Sequence, residues 1–189
     1  MKLRIIVASL ATSLVLASGA AVASHHEEMK NNPMVGGAAM LASKDIVDNA
    51  VNSKDHTTLV AAVKAAGLVD TLKSEGPFTV FAPTNAAFDA LPAGTVDTLL
   101  KPANKATLTS VLTYHVVPGK LDAAAIAAKI AEGNGSAMLT TVQGETLTAR
   151  AKGEGVTVTD TKGNVANVTV ANVYQSNGVI HVVDTVLMP

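Results

Sequence analysis

Apolar residues recur at helical spacing in the first half of the chain and at alternate positions in the last third. Residues 43–51 fit a helix, with Ser43 available as a cap and Ile46, Val47 and Ala50 on one face. In the next helix Asp55 or Thr57 can cap, Leu59, Val60, Val63 and Ala66 form the apolar stripe, and Gly67 stands where a left-handed terminator belongs. Residues 68–72 add another turn before Gly76-Pro77 ends the block. Residues 78–82 are apolar on both faces apart from Thr79, the pattern of a covered central strand. Its expected partner is the apolar run at 177–189. Pro83 stops the strand because proline cannot donate to a ladder, and Thr84 or Asn85 can cap the helix holding Ala86, Ala87 and Phe88. Val96, Leu99 and Leu100 make a short amphipathic turn, and a helix over 104–114 turns Leu108, Val111 and Leu112 inward. A short strand over 115–117 follows, and Asp122 can cap an alanine-rich helix over 123–130.

After that helix the period becomes two. Strands are expected over 138–142, 146–151, 156–159, 165–173 and 179–183, joined by turns at Gly144-Glu145, 153–155 and 162–164. Helices first and strands late predict an α+β domain rather than alternating βαβ units. The helical face comes mostly from the N-terminal half.

The composition fits that reading. The chain has 189 residues and is 48% hydrophobic, yet it has only three Phe and two Tyr and no Trp. Its core must pack small and β-branched side chains, which suits strands. Lys2 and Arg4 precede an apolar run over 5–16, and Ala21-Val22-Ala23 supplies small residues for cleavage. Residues 1–23 are therefore expected to be a signal peptide, with Ser24 first in the mature chain and no permanent membrane span. Residues 24–42 hold no sustained period and are expected to be a disordered leader, leaving a domain over 43–189. The absence of cysteine removes disulfides, thiol catalysis and thiolate metal sites. Without Lys2 and Arg4 the chain carries 12 basic and 15 acidic residues, a net charge of −3, and no basic block. Nucleic acid is not an expected partner.

Three segments carry a resemblance to a known family. The run from Thr79 to Phe88, Thr-Val-Phe-Ala-Pro-Thr-Asn-Ala-Ala-Phe, resembles the first homology box of the fasciclin domain. Tyr114-His115 with Val116-Val117-Pro118-Gly119 resembles its central Tyr-His segment. The run from Gly178 to Pro189, containing His181, resembles its second box. All three stand in family order and spacing. The resemblance implies a wedge or sandwich of strands with a helical face, and a non-enzymatic module for adhesion or extracellular interaction. It also implies an alternative, since some members carry small hydrophobic molecules. Tyr114 and His115 fall on the segment proposed as an integrin contact in animal matrix members. The Asp-Ile pair cited near the second box is replaced here by Asp184-Thr185. The expected location is outside the cytoplasm: periplasmic, secreted or at the cell surface. The expected partner is an extracellular protein or surface glycan, met by a monomer or weak oligomer.

Candidate chemistry is sparse. Thr84 and Asn85 can be contact residues or can satisfy the free N–H groups of a first helical turn, and the second role suits a strand-to-helix corner. His115 and His181 stand among valines, the setting of buried histidines with paired ring nitrogens rather than of metal ligands. No nucleophile elbow, phosphate loop, HExxH or Cys/His cluster occurs, so neither a catalytic residue nor a cofactor is expected. One speculative metal site remains. If cleavage frees Ser24, its amine, two backbone amides and the His26 imidazole can enclose Cu(II) in a square plane, with His25 beside them. The stripe of Leu59, Val60 and Val63 is either core or the wall of an apolar ligand groove.

Overall fold

The computed structural model of the protein describes residues 32–153 and 155–189. The expected signal peptide lies outside the described residues. So do Ser24, His25 and His26.

The described chain begins with a small antiparallel hairpin, β1 (Met34–Val35) and β2 (Ala38–Ala39). Gly36 and Gly37 turn it with φ of 58° and 77°, the left-handed geometry a two-residue hairpin turn favours. Residues 32–42 therefore do not fit a disordered leader. Val35 and Met40 are buried in the same core as the first helices.

Helices follow in the expected order: α1 (Ile46–Ala50), α2 (Thr57–Ala66), α3 (Val69–Lys73), α4 (Asn85–Asp89), α5 (Thr95–Leu99), α6 (Lys105–Tyr114) and α7 (Ala123–Glu132). Their ends obey local rules. Asp45, not Ser43, caps α1 by accepting the Asp48 N–H at 2.8 Å. Gly67 closes α2 at φ 73°, and Asp122 caps α7 through the Ala125 N–H. The strands are β3 (Phe78–Pro83), β4 (Val116–Pro118), β5 (Ala137–Thr140), β6 (Thr146–Lys152), β7 (Gly155–Thr159), β8 (Val165–Gln175) and β9 (Gly178–Val183).

These strands form a seven-stranded sheet in the order β4-β3-β9-β8-β7-β6-β5. Only β3 and β9 run parallel, with Phe78 opposite Gly178 and Phe81 opposite His181. Just past β5 the Val142 N–H donates to the Val116 carbonyl at the end of β4, so the curled sheet is nearly closed. Alternate residues of the two central strands serve two cores. Val80, Ala82, Ile180 and Val182 face the helices α1 to α6. Phe81 and Val183 face the inside of the curl, where Leu147, Val158, Ile126 and Ile130 of α7, and Tyr114 meet them. That division is why these strands are apolar on both faces. The molecule is α+β, with the helical face built mostly by the N-terminal half.

Candidate functional site

The corner after β3 is held from two sides. Thr84 Oγ1 accepts the Ala87 N–H at 3.3 Å and caps α4. Asn85 caps a different helix, 27 residues earlier in the chain. Its Oδ1 accepts the Thr58 N–H at 3.0 Å and the Thr57 hydroxyl at 3.2 Å, while its Nδ2 donates to the Lys54 carbonyl at 2.8 Å. Neither Asp55 nor Thr57 caps α2, which starts after a 3-10 turn over Lys54–His56 without a local side-chain cap.

Tyr114 and His115 lie at the end of α6 and point inward. Tyr114 is fully buried, and its hydroxyl donates to the Thr146 carbonyl and accepts the Thr161 N–H. Burial raises its pKa above the ordinary phenol value. His115 Nδ1 donates to the Val111 carbonyl at 2.8 Å, and Nε2 accepts the Leu187 N–H at 3.0 Å. This pairing requires the neutral imidazole, and burial lowers its pKa to about 4.

His181 sits opposite Phe81, with ring centroids 5.6 Å apart. Its Nε2 donates to the Leu121 carbonyl at 2.8 Å, whereas its buried Nδ1 has no partner. Burial lowers its pKa, against a smaller pull from the Leu121 carbonyl and Asp122. Asp184 does not follow the Asp-Ile pattern, but it is engaged. It accepts the Asn167 N–H and side-chain amide at 2.8 and 2.7 Å. Burial would raise its pKa, and these Asn167 bonds outweigh it and hold the carboxyl below its ordinary value.

Buried side chains that escaped the sequence reading include Asn177, Asn49 and His56. Asn177 accepts the Ile46 N–H and donates to the Leu72 and Ser74 carbonyls. Asn49 exchanges two hydrogen bonds with the Leu41 backbone and meets Gln175. His56 pairs through Nδ1 with Ser53 Oγ at 2.9 Å, and its Nε2 has no hydrogen-bond partner. Each links segments far apart in sequence, or turns that show no apolar period.

Thr84, Asn85, Tyr114, His115 and His181 thus belong to one connected region around β3 and β9, but they do not converge on a common cleft. Among the described residues no three His, Asp or Glu side chains gather as a metal site. A family model for the fasciclin domain matches residues 54–189. The chain belongs to the fasciclin family. Protein sll1483 of Synechocystis is 45% identical over 186 residues, spanning 98% of this chain and 96% of that protein. Immunogenic protein MPB70 of Mycobacterium bovis is 41% identical over 74% of this chain and 66% of its own length. The transforming growth factor-beta-induced protein ig-h3 of Sus scrofa is 38% identical over 76% of this chain, which covers 19% of that protein. Among solved structures, a fasciclin domain pair from the insect cell adhesion molecule Fasciclin I superposes with a TM-score of 0.68 at 18% identity. The match covers 77% of this chain and 51% of that one. In this fasciclin domain the first box is β3 with its corner, the Tyr-His segment joins α6 to β4, and the second box is β9 with the C-terminal tail. All three meet at β3, which pairs with β4 on one side and β9 on the other.

Proposed function

We propose that the chain is an exported fasciclin module that binds an extracellular protein or a surface glycan through its exterior. The observation that carries this reading is the inward orientation of the family motifs. Tyr114 and His115 spend their polar groups, and His181 its Nε2, on backbone partners inside the domain, and Thr84 and Asn85 spend theirs on helix starts. Such a scaffold leaves recognition to outer loops and exposed helix faces, which suits an interaction module better than a catalyst. The reading draws further support from relatives. One is called a cell surface glycolipoprotein, and the insect protein of similar fold is a cell adhesion molecule. No helix among the described residues is long and apolar enough to cross a membrane.

Fractionation of producing cells tests the export step. The protein is expected outside the cytoplasm with its N-terminus at Ser24; a cytoplasmic chain retaining Met1 would refute it. The purified domain, immobilised, is expected to retain producing cells better than the same protein after heat unfolding. Equal retention would refute binding by the folded exterior.

A further inference from the structure

The segment after β9 is buried without being part of the sheet. Residues 184–189 form no strand, yet Val186 packs in the helix-facing core and Leu187 inside the curl. Two buried side chains grip its backbone. His115 Nε2 accepts the Leu187 N–H at 3.0 Å, and Asp160 Oδ2 accepts the Met188 N–H at 2.9 Å.

Both grips belong to one assembly around the Tyr-His segment. Asp160 sits in the turn between β7 and β8, where its carboxylate also accepts the Lys162 and Asn164 N–H groups and the Asn164 side-chain amide. The Tyr114 hydroxyl accepts the Thr161 N–H and ties that turn to the end of α6. Tyr114 thus positions the turn that holds Met188, while His115 holds Leu187 directly.

The His115 grip works in one protonation state. Nδ1 donates to the Val111 carbonyl, so Nε2 must be bare to accept. A second proton can go only to Nε2. There it turns the acceptor into a donor that faces the Leu187 N–H. Of the groups around the ring, Asp160 is the charged one that acts on it, and it favours the protonated form less strongly than burial opposes it. Tyr114, its neighbour on α6, is a neutral phenol whose pKa burial raises. The other contacts of His115, from β3 and the segment itself, are backbone N–H groups. His56 and His181 pair elsewhere, with Ser53 and the Leu121 carbonyl, and do not hold the segment.

We propose that the segment after β9 is an acid-sensitive latch: a proton on His115 Nε2 opens residues 185–189 and uncovers the apolar seats of Val186 and Leu187 in both cores. Because the segment carries no ladder bonds, it can leave while β3 and β9 stay paired. Opening frees the ring to regain its ordinary pKa of 6.5 from about 4, so the opening equilibrium rises about 20-fold from pH 7 to pH 5 and about 100-fold from pH 7 to pH 4. The latch lies inside the domain and holds or fails separately from the exterior contact surface.

Hydrogen–deuterium exchange of the full chain, read at single residues between pH 7 and pH 4 and corrected for intrinsic rates, tests it. The Leu187 and Met188 amides are expected to be less protected than those of β3 and β9 at every pH, and to lose about 100-fold in protection across the range. His115→Gln offers a side-chain carbonyl that accepts at every pH, and it should remove most of that loss. Segment amides that exchange only together with β3 and β9, segment protection that does not change with pH, or an undiminished loss in His115→Gln would overturn the latch. Should that variant not fold, the wild-type exchange pattern decides alone.

Discussion

Asn177 accepts the Ile46 N–H and donates to the carbonyls of Leu72 and Ser74, so one side chain ties the start of α1 and the end of α3 to the turn before β9. Asn177→Ala leaves those buried groups unpaired and is expected to cost about 2–3 kcal/mol in chemical denaturation. Asn85→Ala removes the remote cap of α2 and is expected to cost about 1 kcal/mol. His115 gives a pH dependence. Its pKa falls from 6.5 unfolded to about 4 folded, so the unfolded chain binds more protons between those values. Stability is complete above pH 6.5 and is lost as pH falls towards 4, by about 3 kcal/mol. His115→Gln should make that part of a melting-temperature profile shallower, the remaining slope belonging to His56 and His181, whose pKa values burial also lowers; an unchanged slope would show that His115 contributes nothing there. Thr84 and Asp122 were legible as caps because their partners lie three residues on. The cap from Asn85 and the clamp from Asn177 were not, because a sequence window does not reach partners 27 or 105 residues away.

The elements follow the apolar period closely. Residues 104–114 and 123–130 became α6 and α7 with small shifts at their ends, and the late two-residue period became β5 to β9. The hairpin β1–β2 was illegible for a physical reason. Its strands are two residues each, and its segment joins the core through Val35 and Met40 with Ala38 half-buried against the same cluster, too few positions to make a period. A chain begun at Ser43 loses both side chains and uncovers the apolar cavity of about 80 Å³ that they wall with Leu59 and Val63. It is expected to lose about 2–5 kcal/mol, the range for emptying a large buried side chain. Unfolding curves of the two lengths check this, and equal midpoints would show that the segment contributes nothing. Gly178 is a second element-level constraint. A Cβ there would run into the Phe78 carbonyl across the parallel pair. Gly178→Ala is therefore expected to force β3 and β9 apart and lower the melting temperature.

For the whole molecule, the pairing of the first apolar strand with the last is the organising fact. It places the first and second boxes side by side and lets two cores share the same two strands. That partnership was legible, because both runs are apolar on both faces and bounded by prolines or glycines. The near-closure of the sheet was not, since it depends on one contact between residues 116 and 142 outside the regular ladder. The same construction turns the motif side chains inward, and in the proposed function it leaves the exterior to meet a partner. Attachment of producing cells to a surface, compared between cells with and without this chain, tests that account most directly. The account predicts weaker attachment without the chain, restored by supplying it with His115→Gln, a variant altered only inside. Undiminished attachment in its absence would contradict it.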